Sequence, residues 1–92
     1  MIEFEHIEDQ KYFENKKTGV WTIYDDLGTL MEKITFENDE KNGLYELYND
    51  EGNTIVISGN YVNGKEEGAW KEFSNKGKLK KEINYKEGVV VK

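Results

Sequence analysis

With 92 residues the chain has room for one small domain with a modest core. Hydrophobic residues at 36% and charged residues at 35% exclude a thick apolar interior, while 13% aromatics exclude a disordered chain; a thin layer with two wet surfaces is expected. The absence of cysteine excludes disulfides and thiolate metal sites, and the net charge of −6 disfavours nucleic acid and anionic lipid surfaces as partners.

All 13 basic residues are lysine, so no guanidinium fork is available for phosphate or carboxylate. The charge is uneven: residues 1–66 carry 15 Asp/Glu against 6 Lys, and residues 67–92 carry 4 Glu against 7 Lys. An acidic body attracts basic proteins by long-range steering, and it also serves solubility. No apolar run reaches the length needed to span a bilayer, and Met1–Glu5 is acidic where a signal peptide is basic and then apolar. A cytoplasmic protein is expected.

In chain order, Ile2–Ile7 alternates like a strand, and Tyr12-Phe13-Glu14-Asn15 reads as the end of a returning strand. Tyr12 stands seven residues before Gly19, as Phe36 stands before Gly43 and Tyr61 before Gly68. Residues 1–18 are therefore read as a degenerate capping unit, followed by repeats at 19–42, 43–67 and 68–92. The leading glycines (Gly19, Gly43, Gly68) and the turn glycines (Gly28, Gly52, Gly77) keep the same spacings of 24 and 25 residues. A period of that length signals stacked supersecondary units that bury their apolar faces against one another.

Each unit reads as a β-hairpin. The outgoing strands are Gly19–Tyr24, Gly43–Tyr48 and Gly68–Phe73, and the returning strands are Leu30–Phe36, Thr54–Tyr61 and Leu79–Tyr85. Between them lie turns of four to five residues closed by a glycine, the signature of a type I turn with a bulge. Alternation sends Trp21 and Ile23, Tyr45 and Leu47, Trp70 and Glu72 to one face; Val20 and Tyr24, Leu44 and Tyr48, Ala69 and Phe73 go to the other. The additional residue of the middle unit is assigned to a bulge at Ser58-Gly59. Between hairpins lie Asn38–Asn42, Asn63–Glu67 and Glu87-Gly88, of which Asn63-Gly64 is the strongest turn signal. The apolar tail Gly88–Lys92 is read either as a last paired strand or as a free edge. The fold class is all-β: stacked hairpins forming one elongated, twisted antiparallel meander of roughly eight strands.

Little in this pattern points to catalysis. The single histidine, His6, lies among Glu3, Glu5 and Glu8 in the capping strand, without the convergent partners a metal site or general base requires. Asn49–Asn53 lacks the spacing and closing glutamate of a calcium loop. No nucleophile elbow or phosphate loop occurs. No catalytic, cofactor-binding or metal-ligating residue is assigned, and no cofactor is expected. The acidic turns Asp25, Asp26, Asp50 and Glu51, with Tyr24 and Tyr48 beside them, are the candidate partner-binding residues, since rows of rim charge steer association.

The pattern Gly-x-Trp-x-x-Tyr, Gly-x-Leu and Tyr-x-Asn-Gly-Lys-x-x-Gly is carried best by Gly68–Phe73, Gly77-Lys78-Leu79 and Tyr61–Gly68. It resembles the MORN repeat in its bacterial variant of about 24 residues, over residues 12–92. Asp39 stands in place of the linker glycine and Thr54 in place of leucine. The resemblance implies stacked hairpins in an elongated twisted sheet. Short bacterial proteins of this kind resemble the YwqK family of antitoxins, which implies a non-enzymatic protein-binding module that neutralises a toxin, here a basic toxin domain. The competing expectations are a scaffolding array that self-associates as a homodimer or larger assembly, and an acidic inhibitor or nucleic-acid mimic from a mobile element. Neither a nucleic acid nor a membrane is expected as a partner.

Overall fold

Two kinds of turn alternate along the chain and between them lay out the whole sheet. The computed structural model describes residues 5–8 and 11–92, with side chains for 11–92 only. The strands are β1 (Glu5–Glu8), β2 (Tyr12–Phe13), β3 (Lys16–Lys17), β4 (Gly19–Asp25), β5 (Leu30–Glu37), β6 (Glu40–Tyr48), β7 (Ile55–Val62), β8 (Lys65–Phe73), β9 (Leu79–Lys86) and β10 (Val89–Val90). Eight of them form one antiparallel sheet in the order β1-β4-β5-β6-β7-β8-β9-β10, and β2-β3 forms a separate hairpin. The molecule measures 42 × 35 × 19 Å, one sheet thick. The all-β meander expected from the repeat is the fold observed. Of the alternating N-terminal stretch, Glu5–Glu8 pairs with β4, Glu5 opposite Asp25; the side chain of His6 lies outside the described residues.

The tight turns are two-residue hairpins at Glu14-Asn15, Asn38-Asp39, Asn63-Gly64 and Glu87-Gly88, each with positive φ at both positions. That is the type I′ geometry, whose twist matches the strands it joins. Each of the last three donates a backbone N–H to the preceding hairpin: Asp39 to the Lys17 carbonyl (3.1 Å), Gly64 to Lys41 (2.8 Å), Gly88 to Glu66 (2.9 Å). Asp39 holds a conformation that normally favours glycine, at φ 69°. Its carboxylate gives a reason, since it accepts the Lys17 backbone N–H at 2.6 Å.

The opposite edge carries the longer turns. Asp25, Asn49 and Ser74 occupy equivalent corners: their backbone N–H groups bond to the carbonyls of Thr29, Thr54 and Lys78, and their carbonyls accept from Gly28, Gly52 and Gly77. Tyr24 pairs with Leu30, Tyr48 with Ile55, and Phe73 with Leu79. The middle repeat therefore places its additional residue in the turn, before Ile55; a register shift does fall at Ser58–Asn60, where a bulge was expected, but it recurs at Ile34–Phe36 in the shorter unit and does not hold the additional residue. Ile55, rather than Thr54, takes the leucine position, and the missing leucine of the repeat pattern is explained.

The leading glycine also has a structural cause. Between β5 and β6, Ile34 pairs with Tyr45 and Phe36 with Lys41, so two steps on one strand oppose four on the other. The same offset separates Ser58–Lys71 from Asn60–Glu67 in β7 and β8. Gly43 (φ 121°) and Gly68 (φ 79°) lie inside these bulges, where an L side chain would be strained. An added Cβ on Gly43 would stand 2.9 Å from the Thr35 methyl.

Register puts a polar row across the middle of one face, Thr22–Lys33–Glu46–Ser58–Lys71–Glu82. Its neighbouring charges are of opposite sign, the favourable cross-strand arrangement. The other face carries Trp21, Ile34, Tyr45, Trp70 and Ile83 together with the closing aromatics Phe36, Tyr61 and Tyr85. The core sits on that aromatic face and is small. Among the described residues only Trp21 and Ile34 are buried hydrophobics, 5% and 7% exposed.

Candidate functional site

Trp21, Tyr45 and Trp70, which share one face as expected, fall into two clusters. In the first, Tyr12 and Phe36 meet the Trp21 ring edge to face, with centroids at 5.3 and 5.6 Å. The indole N–H donates to the carbonyls of Lys11 (3.3 Å) and Thr18 (3.2 Å), so the β2-β3 hairpin lies over the ring and closes it from solvent. In the second cluster, Trp70 stacks on Tyr45 at 5.6 Å and meets Tyr61 and Tyr85 edge-on at 5.0 and 6.2 Å. Here the indole donates to the Asn60 carbonyl (3.1 Å), the counterpart of the Lys11 carbonyl, and lies on the bare backbone of Gly59. An added Cβ there would stand 2.1 Å from the ring. The result is a shallow cleft of 280 Å3 lined by Tyr45, Ile57, Tyr61, Trp70, Ile83 and Tyr85, with Lys71 and Glu72 beside them.

Carboxylates shape the electrostatics of this face. The Tyr45 hydroxyl donates to the Glu32 carboxylate, and burial together with that bond holds the phenol far above its ordinary pKa. Tyr61 is raised as well, first by burial and then by the charges of Glu66 and Glu32. Two cations lie over rings: the Lys17 ammonium stands 5.3 Å from the Trp21 centroid and 4.9 Å from that of Phe36, and Lys41 stands 5.0 Å from Tyr61.

On the opposite face, Tyr48 and Phe73 border a cavity of 440 Å3 with Ile55 and Thr54. The Tyr48 hydroxyl donates to Glu46 at 2.9 Å, and burial plus that bond push its pKa up to about 12. At the long-turn edge, Asp25, Tyr48, Asp50, Leu30 and Met31 line a second cavity of 490 Å3. Three of the six candidate residues, Asp25, Tyr48 and Asp50, thus come together. Asp26 and Glu51 are exposed on the same turns, and Tyr24 is half-buried beside them at the end of β4.

The acidic turns do not stack pair on pair as the sequence suggested. Structurally, Asp25 corresponds to Asn49 and Ser74, Asp26 to Asp50 and Asn75, and Leu27 to Glu51 and Lys76. The Asp25 carboxylate is engaged within its turn, accepting the backbone N–H groups of Leu27 (2.9 Å) and Thr29 (2.8 Å). Asn49 and Ser74 play the same part with their side-chain oxygens, toward Asn53 and toward Lys76 and Lys78. Asp25 therefore shapes the turn, and Asp26, Asp50 and Glu51 are the outward charges. The Trp70–Tyr85 cleft was not singled out from sequence. Its signal was present in the repeat itself: the position occupied by Lys17 and Lys41 is Glu66 in the third unit.

No group of three or more His, Asp or Glu side chains among the described residues is placed to hold a metal ion. No described helix is long and apolar enough to cross a membrane. The chemistry on offer is that of a surface: aromatic faces, carboxylates and open strand edges.

No curated protein and no solved structure matches the chain. The middle repeat, with its longer turn, falls outside the matched family segments. Residues 17–38 and 66–87 each match the family model for the MORN repeat variant, a repeat that typically builds non-catalytic binding or scaffold modules.

Proposed function

We propose that this chain is a non-enzymatic protein-binding module, an immunity or antitoxin protein that binds a basic toxin domain in the bacterial cytoplasm and neutralises it. The observation that carries the reading is the long-turn edge: exposed Asp26, Asp50 and Glu51 beside a cavity of 490 Å3 lined partly by Tyr48 and Met31. A hollow with Leu30, Met31, Leu47 and Tyr48 in its wall and carboxylates at its rim has the anatomy of an interface, with the rim governing encounter. The excess of acidic residues over residues 1–66 adds long-range attraction for a basic target.

The test uses the product of a toxin reading frame adjacent to this gene, with association followed by stopped flow at two salt concentrations. Reversing Asp26, Asp50 and Glu51 to lysine together is expected to slow association about tenfold or more at low salt, and much less at high salt. An unchanged rate would remove this edge from the interface, and a neighbouring toxin domain that does not bind at all would remove the antitoxin reading.

A scaffolding role is the second reading, favoured by the exposure of Val89 (67%) and Val91 (52%) at the β10 edge. A strand edge of valines is a template for pairing with another chain. Light scattering at micromolar concentration separates the two: a stable homodimer or larger assembly supports scaffolding, and a monomer supports the toxin partner.

A further inference from the structure

We propose that the long-turn edge seats a polyproline II segment of the protein partner, laid across two hollows one repeat apart with its basic end at the first and its acidic end at the second. This rests on the reading of that edge as the interface of a protein-binding module, and adds the conformation and charge order of what binds there. The 490 Å3 cavity lies in the seam between β5 and β6, and another of 380 Å3 lies in the seam between β7 and β8. Register makes the two equivalent. Glu32 faces Leu47 across the first seam, as Ile57 faces Glu72 across the second. Met31 and Val56, one in each hollow, are the same residue of the repeat, the one skipped by the register shift next to the long turn. Each hollow also has an aromatic ring in its wall at one repeat position, Tyr48 in the first and Phe73 in the second.

Neighbouring strands lie about 4.8 Å apart, so two strands set the hollows about 9.6 Å from each other. A polyproline II chain has three residues per turn and rises about 3.1 Å per residue, which returns a side chain to the same face after about 9.3 Å. On one face of a β-strand side chains recur at about 6.7 and 13 Å, and miss that spacing. Grooves walled by aromatic rings are where polyproline II segments dock, and Tyr48 and Phe73 supply such walls. The charges give the direction. Turns 25–29 and 49–54 each hold two acidic residues and no lysine, whereas turn 74–78 holds two lysines and no acidic residue. Asp25 and Asp50 line the first hollow; Lys80 lines the second, with Lys76 exposed on the turn beside it. Glu72 lines the second hollow too, and its cross-strand neighbour is Lys81, of opposite sign. A uniformly basic segment would suit the first hollow alone.

The probes are three capped hexapeptides with leucines on either side of a Pro-Pro pair: Lys-Leu-Pro-Pro-Leu-Glu, and the same with lysine or with glutamate at both ends. They are titrated into the full chain at low salt and followed by NMR at the Met31 and Val56 methyl groups. The Lys/Glu peptide is expected to shift both methyls and to bind about threefold or more tighter than either like-charged peptide. Removing one proline sets the leucines two apart and should abolish the response at one of the two methyls. Lys76→Glu with Lys80→Glu, at exposed positions, should turn the preference toward the peptide with lysine at both ends. Tightest binding of that peptide by the unaltered chain, a shift at one methyl only, or no shift at either, would overturn the proposal. Any of these beside a toxin association rate that turn reversal does slow would strike the segment and its charge order alone. Peptides bound in the expected order beside a toxin domain that does not bind would strike the antitoxin reading alone.

Discussion

The two aromatic clusters are built from one repeat frame and end in different states. Around Trp21 the frame closes: Tyr12, Phe36 and Lys17 surround the indole, the β2-β3 hairpin takes its N–H, and the ring is 5% exposed. Around Trp70 the rings are as close to one another, yet the indole is only half-buried, and its N–H bonds to the Asn60 carbonyl of the neighbouring strand at 3.1 Å. Ring contacts alone thus do not make a core in a one-layer sheet. The difference lies in what the frame holds: Trp21 has a second carbonyl, Thr18, for its N–H and an ammonium over its ring, whereas Trp70 has Gly59 beneath it and Glu66 in the lysine position. The buried part of the core lies at the closed end.

The largest expected effect tests that division directly. Trp21→Ala should cost about 3–5 kcal/mol, enough to unfold much of a domain this small. Trp70→Ala removes a ring that is already partly solvated and should cost about 1–2 kcal/mol. Urea unfolding followed by circular dichroism measures both. Equal losses would mean that the second cluster is core after all, and that its openness has no special meaning.

Gly59 offers a finer cut. An alanine methyl would stand within 2.1–2.6 Å of the Trp70 ring, so the indole must leave its seat or the strand must shift. Gly59→Ala is expected to destabilise by about 1–3 kcal/mol and to raise the exposure of Trp70, read from its fluorescence in a Trp21→Phe background. Destabilisation without a change at Trp70 would place the strain in the backbone and detach Gly59 from the cleft.

Much of this architecture could be read from the sequence, because the period of the glycines and the alternation of apolar residues each specify local geometry. The leading glycines mark the bulges, and Asn63-Gly64 marks a type I′ turn whose counterparts at Asn38-Asp39 and Glu87-Gly88 follow by spacing. The place of the inserted residue was not legible: a turn one residue longer and a bulge within β7 give the same sequence spacing, and only the pairing of Tyr48 with Ile55 separates them. The engagement of Asp25 was hidden for a related reason. Asp, Asn and Ser all cap this turn through a side-chain oxygen, so the equivalent positions do not look alike as letters. Ring-to-ring partners were illegible because the bulges decide which aromatics meet. The substitution of Glu66 for lysine, by contrast, stood in the sequence, and acquired meaning once Lys17 and Lys41 were seen over rings.

The smallest effect concerns the seam between the clusters, where Tyr45 of the open cluster donates to Glu32 on β5, two residues from buried Ile34. Tyr45 is held well above the ordinary phenol pKa, first by burial and then by the bond to Glu32; Tyr48, on the other face, is pushed up to about 12 by burial and by Glu46. In the unfolded chain both return to about 10. The folded state therefore binds more protons above that pH, and the stability these two phenols contribute, fully present below pH 10, is lost progressively as pH rises through 10 toward 12 and beyond. Phenolate absorbance during alkaline titration should show these groups ionising late, together with loss of the fold. Glu32→Gln keeps an acceptor for the hydroxyl and removes the charge, so it should bring the Tyr45 step down toward ordinary phenols while leaving the Tyr48 step in place. If Glu32→Gln moved neither step, the seam would owe nothing to that carboxylate, and the two clusters would be joined by backbone pairing alone.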